Sequence, residues 1–470
     1  TDKPIKADAN DAELRSMRLK VNAQATQSLT IGLSAWLSRE EYGAPSVADD
    51  DSRNSSLVDE SIETDYDAYG VKVGYDAEAF SITSMSSYLD YSNTGNVDLA
   101  PAGFPAVLFT GLDADVFSQE VILNSTSYGA WRWTAGMFYR GAEDRLRQNN
   151  PGGGAPFDYE NTSESYAAFG EVDRRFADDK LQWTLGLRYF HDDVRVRELV
   201  NQGAPEDPLI EEKRSFDSTT PRAVLSWFPR SDTTLYALYS EGFRSGFPQD
   251  PGFLRSHPSF PSLKPDELHN YEIGMKGEAL DKRLSYDAGV YYMDWHDVQQ
   301  TLSVPFNGTD VTALVNGESA SGMGVDLAVM VRPSEVLQLG FNFSWKDLTM
   351  DTVVLSEGTV LFNRGDRLNL SPEYTVGASA DLTFPIDRGG LQARFSASAN
   401  HTSERSMRTV VSGAQLLGVG DDLTFVQASF SIERRDHWTA TLFGDNLGDE
   451  RSTALRDPFG APDWSMRVRP

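Results

Sequence analysis

The sequence predicts an all-β protein, an antiparallel β-barrel that crosses a membrane, and three observations lead to this prediction. Many segments alternate apolar and polar residues with a period of two. Short and long connections between those segments follow one another in strict order. No run in the 470 residues reaches the roughly 18 to 20 apolar residues of a membrane helix. A barrel fits all three, because its strands need only one face for lipid and one for the lumen.

The composition excludes several classes of protein. A formal net charge of -28 opposes binding to nucleic acid, whose phosphates attract a basic surface. The absence of cysteine removes disulfides and thiolate metal sites. An aromatic fraction of 11% fits both strand propensity and the aromatic girdles of membrane barrels.

The alternation is clearest in a hairpin predicted within residues 264–298. Its first strand places Tyr271, Ile273 and Met275 on one face and polar residues on the other. Two further segments of this kind span residues 337–346 and 391–400. Each is long enough to cross a membrane, for which a tilted strand needs about 9 to 11 residues.

Polar turns and long connections alternate along the chain. Short turns are expected at residues 24–28, 76–79, 125–129, 176–180, 229–233, 279–283, 332–336, 385–390 and 433–437. Long connections are expected at residues 42–60, 93–113, 146–161, 197–214, 245–266, 300–315, 351–365 and 401–422. Such sorting is typical of a barrel with short periplasmic turns and long extracellular loops, here with about 18 strands.

Tryptophans near the ends of the predicted strands fit rings at a membrane interface, although each could instead be a buried anchor. These residues are Trp131, Trp133, Trp183, Trp227, Trp295, Trp345 and Trp438.

Strand direction bears on how much of the barrel this chain holds. If the short turns are periplasmic, the first predicted strand, near residues 11–24, runs toward the periplasm. An odd number of strands is then expected before it, and one more after residue 470. We therefore expect the chain to be a fragment of a larger, even-numbered barrel.

Several runs resemble the barrel of TonB-dependent outer-membrane receptors. They are GFRSGF at residues 242–247, LKPDELHNYEIGMKG at 263–277, VYYMDWHDVQ at 290–299 and FGDNLGDERS at 443–452. Residues 168–193 resemble an earlier hairpin of the family, and Val468-Arg469-Pro470 resembles the entry to its last strand. The family barrel has about 22 strands. The resemblance implies that residues 1–470 are a partial barrel that lacks the first strands, the plug domain, the energy-coupling box and the last strand.

The resemblance implies transport across the outer membrane of a Gram-negative bacterium. Receptors of this family take up a scarce nutrient complex, usually a ferric siderophore, haem or cobalamin and sometimes a carbohydrate. The implied partners are that ligand, the TonB energy-transducing complex acting through the plug, and outer-membrane lipid. The alternatives are a carbohydrate-specific receptor, a passive porin-like channel of about 16 to 18 strands without a plug, and a soluble β-rich binding protein.

No signature of an enzyme stands out, and no catalytic residue, metal site or cofactor is expected. The six histidines form no HExxH motif. The run GESASG at residues 317–322 lacks the GxSxG spacing of a nucleophile elbow.

Two sets of side chains are candidates for function. Those predicted to face the lumen and hold a plug are Glu171, Arg188, Glu272, Lys276 and Arg394. Any polar residue suits a water-filled lumen, so a plain solvated lining is the alternative. Those predicted to bind ligand, in and beside the connection at residues 245–266, are Arg244, Phe247, Phe253, Arg255, His257 and Phe260. They could stack on and charge-pair with an aromatic anionic ligand such as a ferric catecholate, or proline and phenylalanine could simply make the loop rigid.

Two smaller loops carry further candidates for function. An apolar loop around Phe104, Val107, Leu108 and Phe109 could close over ligand or pack on the plug. The adjacent Asp49, Asp50 and Asp51 could hold a divalent cation, although neighbouring acids in a loop are usually solvated.

Overall fold

The computed structural model of the chain describes residues 6–7, 9–43, 47–49, 51, 53–100, 106–126, 129–149, 156–203, 206–386, 390–434, 437–458 and 465–467. Most of these residues lie in one 18-stranded antiparallel sheet whose strands pair in chain order. The predicted fold class and strand number are therefore confirmed. No helix in the described part of the chain is long and apolar enough to cross a membrane.

The wall of the barrel is made by the long strands, numbered here in chain order together with the shorter ones. They are β1 (Ala12–Gln24), β2 (Leu29–Tyr42), β3 (Ser61–Asp76), β4 (Phe80–Asp98), β5 (Val107–Ser125), β6 (Trp131–Asn149), β7 (Phe157–Phe176), β8 (Leu181–Glu198), β9 (Glu211–Arg230), β10 (Thr233–Arg244), β11 (Asp266–Ala279), β12 (Leu284–His296), β15 (Ala320–Val331), β16 (Leu337–Met350), β19 (Tyr374–Pro385), β20 (Leu391–Thr402), β23 (Leu423–Arg434) and β24 (Trp438–Gly444).

Short elements fill the long connections. They are α1 (Pro251–Ser256), β13 (Gln299–Phe306), β14 (Thr309–Asn316), β17 (Val354–Ser356), β18 (Thr359–Phe362), β21 (Ser406–Val411), β22 (Ala414–Val419), β25 (Thr453–Leu455) and β26 (Met466–Arg467). The connections predicted at residues 300–315, 351–365 and 401–422 are therefore not plain loops, because each contains a hairpin.

These three hairpins share one kind of turn. Each turn has a residue with positive φ followed by a glycine with positive φ: Asn307-Gly308, Glu357-Gly358 and Ser412-Gly413. Two consecutive positive φ angles give a turn whose twist matches the twist of the paired strands. These turn residues explain why each of the three long connections forms a β-hairpin and not an open loop.

The strands from β4 to β9 are longer than predicted, at 18 to 20 residues each. The connections between them shrink to residues 99–106, 150–156 and 199–210. Beyond the apolar part of the wall both strand faces carry polar residues, so hydropathy alternation could not reveal that pairing continues there. This half of the wall therefore rises higher than the half formed by β10 to β24.

The register of the strands sorts apolar and polar side chains onto opposite faces. Ile273 pairs with Ala237 on one side and with Val290 on the other, and Val290 pairs with Val325. Ile273 is 71% exposed. A row of large apolar side chains open to the surroundings fits contact with lipid, since no second sheet within the described chain covers it. The opposite, polar face lines the lumen.

Two belts of aromatic rings border the apolar face. Near the short turns, the outward tryptophans are Trp131, Trp133, Trp183, Trp227 and Trp438. Toward the long loops, the upper belt contains Tyr69, Tyr88, Phe117, Tyr139, Tyr166, Tyr189, Tyr239, Tyr271 and Tyr292. Neighbouring rings of this belt touch, as Tyr139 and Tyr166 do at 5.2 Å between centroids. Such belts mark the two membrane interfaces.

Within the described residues no backbone pairing joins β1 to β24, but the two ends of the wall meet at the long-loop end. Val47, which follows β2, bridges to Met466. The Ala48 N–H donates to the Ser465 carbonyl at 3.1 Å. The wall therefore closes on itself far enough for the segment after β24 to contact the segment after β2.

Inner-face glycines make room for neighbouring rings, and this leads to a first prediction. The ring of Tyr236 lies over Gly274 where a Cβ atom would be, whereas a Cβ at Gly242, in the paired strand, would meet nothing within 4 Å. Gly274→Ala is expected to cost about 1–3 kcal/mol, because the ring must move. Gly242→Ala is the matched control and should be near neutral. Urea unfolding in lipid vesicles measures both, and equal effects would contradict the ring-on-glycine contact.

Candidate functional site

The lumen wall carries all five residues predicted to face inward. Glu171, Arg188, Glu272, Lys276 and Arg394 each alternate with residues of the apolar outer rows. Strand periodicity therefore places their side chains on the inner face. Contact between these residues and a plug stays a prediction.

The inner residues differ in how far their charges are satisfied within the wall. Glu171 pairs with Arg222 at 2.6 Å, and Glu272 accepts a hydrogen bond from the Tyr236 hydroxyl at 2.5 Å. Arg394 donates weakly to Thr383, at 3.4 Å. In the part of the chain that the structure describes, the exposed Lys276 side chain has no hydrogen bond or ion pair, although Asp287 is opposite it on β12. These contacts hold the two glutamates in the wall, whereas Lys276 is open to a partner.

Among the five predicted inner residues, Arg188 is the one whose charge lies against aromatic rings. Its guanidinium lies over the rings of Phe138 and Phe169, at 5.8 Å and 5.5 Å from their centroids. No carboxylate among the described residues pairs with it. A guanidinium fixed between two rings keeps its charge and presents its N–H donors to whatever fills the lumen.

Sequence reasoning missed two inner arginines in the same region of the wall. Arg222 pairs with Glu171, as described above. Arg140 donates to the Ser163 hydroxyl at 2.9 Å, while its Nε is buried without a partner within the described residues. Arginine at the polar positions of an alternating strand was the signal that would have identified both.

At the mouth, a buried ion pair fastens the connection at residues 245–265 to the wall. Glu198, the last residue of β8, is fully buried and pairs with Arg255 of α1. Glu198 also accepts the backbone N–H groups of Gln202 and Ile210, at 3.0 and 3.1 Å. Arg255 is therefore committed to a structural contact that joins two neighbouring loops.

The short helix α1 begins with a standard capping arrangement. The Asp250 side chain accepts the Phe253 N–H at 3.1 Å, and Pro251 occupies the first turn. Burial raises the pKa of the Asp250 carboxyl. The cap fixes the direction of the helix and so directs Arg255 toward Glu198.

Arg244 is likewise paired within the protein. Its guanidinium Nε donates to the buried Asp266 at 2.8 Å, and it lies over the ring of Trp295 at 4.8 Å. Trp295 therefore faces inward and does not belong to the interfacial belts. Both arginines predicted to charge-pair with a ligand already have carboxylate partners.

Three of the predicted aromatic residues form a small cluster with Phe306 at the tip of β13. Phe253 stacks on His257 at 4.8 Å and meets Phe260 at 5.0 Å. The Phe260 and Phe306 centroids are 4.9 Å apart. These contacts are those expected if the aromatic residues make the loop rigid. Phe247 differs, since it is 36% exposed, and ligand contact by any of these residues stays a prediction.

The long connections pack on one another and form a continuous collar, defined here by residues 245–265, 297–319, 351–373 and 403–422. An apolar core joins the collar to the wall: Val298, Leu302, Val354, Leu361 and Phe362 of the collar pack with Ala320 and Met350 at the ends of β15 and β16. Hydrogen bonds link each connection to the next, from Gln249 to Leu314 at 2.7 Å, Ser303 to Ser356 at 2.9 Å and Gln415 to Leu361 at 2.9 Å. Among the described residues, this cluster of buried apolar side chains therefore lies at the mouth end of the barrel.

The apolar loop and the acidic run predicted from the sequence differ from the structure or lie partly outside its described residues. Val107, Leu108 and Phe109 belong to β5 and not to a loop, because pairing with β4 continues to Val107. Phe104 and Asp50 lie outside the described residues. Asp49 accepts the backbone N–H groups of Asp51 and Arg53. Among the residues described, no group of three His, Cys, Asp or Glu side chains could hold a metal ion.

Comparison with known proteins gives a family match and several structural neighbours. The family model described as "TonB dependent receptor-like, beta-barrel" matches residues 15–447. The ferric-pyoverdine M114 receptor PbuA of Pseudomonas sp. (strain M114) is 24% identical over 306 residues, which is 63% of this chain and 34% of that protein. The chain thus spans about a third of that relative's length.

Solved structures show the same fold at low sequence identity. The siderophore receptor PiuA from Acinetobacter baumannii superposes with a TM-score of 0.75 at 13% identity, covering 99% of this chain and 74% of that chain. The ferric yersiniabactin uptake receptor FyuA from Yersinia pestis has a TM-score of 0.72 at 15% identity, covering 94% of this chain and 66% of that chain. The family and fold are those of transport receptors and not of enzymes.

Proposed function

The chain belongs to the TonB-dependent receptors, whose β-barrel model matches residues 15–447, and from this premise we propose that the complete protein takes up a ferric siderophore by TonB-coupled active transport. As a member of this family it is an outer-membrane protein of a Gram-negative bacterium. The match of the family model to nearly the whole chain carries the proposal, together with the 18-stranded wall.

The ligand class rests on the relatives. PbuA is named a ferric-pyoverdine receptor, FyuA a ferric yersiniabactin uptake receptor and PiuA a siderophore receptor. The mouth is compatible with such a ligand, because the rigid collar holds Phe247 in an exposed position. We propose Phe247 as the member of the predicted ligand set that contacts the siderophore, since Arg244 and Arg255 have partners within the protein.

We propose that the lumen holds a plug domain, supplied by the remainder of the receptor, and that TonB acts through it. The cations of Arg188, which is half-buried, and Lys276, which is exposed, have no carboxylate partner among the described residues, so both can pair with acidic groups of a plug, and this supports the proposal. The chain's own share is to form the wall and the mouth. We propose that it performs no catalysis and holds no cofactor.

Growth under iron limitation tests the proposed function. A strain that depends on the complete gene is grown with a panel of ferric siderophores and, separately, with a panel of carbohydrates as carbon source. We expect rescue by at least one ferric siderophore, and loss of that rescue when TonB is deleted. Rescue by a carbohydrate alone would favour the carbohydrate receptor.

Single-channel recording of the complete protein separates a receptor from a porin. A plugged receptor should conduct almost no current, whereas a barrel with an open lumen conducts steadily. Rescue that persists without TonB, together with a large open conductance, would contradict active transport and favour the passive channel.

A further inference from the structure

A groove lies on the outer flank of the tall half of the wall, near the tops of β3 to β7. It has a volume of about 590 Å³, within the range of roughly 300–1,000 Å³ typical of small-molecule sites. Phe109 and Phe157 line it and are 45% and 44% exposed. Two large rings open to water beside polar groups are the usual elements of a binding site.

Strand register defines the floor of the groove as two rows. In the upper row Asn96, Phe109 and Asn149 are directly opposite one another on β4, β5 and β6. This arrangement sets a ring between two amides. The lower row crosses the strands from β3 to β7 and contains, in that order, Glu63, Thr94, Gly111, Arg147 and Asp158. Asn96 already accepts the Ser61 N–H at 2.9 Å, and Asp158 accepts from Arg145 at 2.7 Å. Within the described residues, the remaining donors and acceptors of the two rows include Asn149, Glu63 and the free N–H groups of Arg147.

Gly111 leaves space in this floor over which the Arg147 guanidinium lies. It has no side chain between Thr94 and Arg147, and a methyl group there would lie 3.5 Å from the Arg147 Nε atom. Arg147 is itself held by Asp113. The groove thus has a fixed guanidinium over Gly111 and the ring of Phe109 in the row above it.

This combination fits a saccharide. Sugar hydroxyls both donate and accept hydrogen bonds, which amides, a guanidinium and a carboxylate can satisfy together. The apolar C–H face of a sugar ring can pack on the exposed face of Phe109. A protein partner would instead need about 800 Å² of surface on each side, far more than a groove with two exposed rings provides.

The position of the groove indicates where the saccharide comes from. Phe109 lies eight positions along β5 from Phe117 of the upper belt and, by strand alternation, on the same outer face. That spacing is about 27 Å along the strand beyond the membrane interface. A ligand here faces away from the lumen and is not on the uptake route. A sugar chain anchored in the outer leaflet would reach this height beside the wall.

We propose that this groove binds the saccharide chain of an outer-leaflet glycolipid. The chain rises alongside the barrel and docks on Phe109, between Asn96 and Asn149, with Arg147 below. The site anchors the tall half of the wall to the surrounding leaflet and is separate from the nutrient site.

Binding of a lipid-free core oligosaccharide, released from lipopolysaccharide by mild acid, tests the proposal. The complete protein is placed in nanodiscs, and calorimetry measures the affinity. Phe109→Ala is expected to weaken binding at least tenfold, and Gly111→Leu should do the same, because it displaces the Arg147 guanidinium while the ring remains. Phe247→Ala, which removes an exposed ring at the mouth, is the matched control and should change the affinity less than twofold.

Circular dichroism and heat-dependent gel mobility confirm that each variant is folded. No binding of the core oligosaccharide by the folded protein, or equal loss with Phe247→Ala, would overturn the proposal. Dextran of similar size is the control for a saccharide that does not come from a membrane glycolipid. Equal affinity for dextran and the core oligosaccharide would overturn the assignment to an outer-leaflet glycolipid. Capture of a protein at the groove that the oligosaccharide cannot displace would also contradict it. Siderophore-dependent growth of Phe109→Ala should be normal, which separates this site from the proposed uptake.

Discussion

Arg255→Met is expected to lower the free energy of opening of the adjoining loops by about 3–5 kcal/mol. The change removes the guanidinium that pairs with Glu198 and leaves that carboxylate fully buried without its cation. The cost is large because a buried charge without a partner carries its full desolvation penalty. Hydrogen exchange of the Gln202 and Ile210 amides, which donate to Glu198, measures the effect directly.

Two controls distinguish this buried pair from ordinary charge pairing. Arg451→Gln breaks a pair with Asp449 in which both side chains are 66% exposed, and it should cost less than about 1 kcal/mol. Adding Glu198→Gln to Arg255→Met removes the buried charge and should recover part of the loss. Unchanged exchange in Arg255→Met would show that the two loops are held by other contacts.

Phe341→Arg is expected to destabilise the folded barrel in lipid by about 2–4 kcal/mol. Phe341 lies in the middle of β16 on the outer face, between Val329 and Ala378 of the paired strands. An arginine there must hold its charge against acyl chains or bend the bilayer to reach water. Folding into vesicles of defined thickness, followed by urea unfolding, measures the change.

The matched control for the lipid-facing assignment is three residues along the same strand. Ser344 pairs with Asp326 across the inner face, so Ser344→Arg places the same charge toward the lumen. We expect it to cost much less, because the inner face is polar and wet. Equal destabilisation by both changes would contradict the assignment of the two faces.

The membrane-spanning wall was largely predictable from the sequence. The alternation at Tyr271, Ile273 and Met275 reports a physical requirement, since one strand face must meet lipid and the next residue must face away from it. The same alternation puts Glu272 and Lys276 on the opposite face from these three residues. Alternation could not predict where each strand ends, because strand pairing continues into polar segments. The pairing of β4 with β5, for example, extends as far as the pair Asp98 and Val107.

The mouth was much less predictable. The Asn307-Gly308 turn carries a recognisable hairpin signal, yet a hairpin in a long connection is only fixed once neighbouring connections pack against it. The partners of Arg244 and Arg255 come from residues 22 and 57 positions away in the chain. Their charge suggested a ligand, but the nearest carboxylates turned out to be Asp266 and Glu198.

The sequence by itself determined the fold class, the strand order and the two faces of the wall, because lipid on one side and water on the other impose a period of two on every spanning segment. Only the tertiary structure decided which mouth residues hold the collar together and which are open to a partner. That outcome depends on distances between connections far apart in the chain, and such distances leave no periodic trace in the sequence.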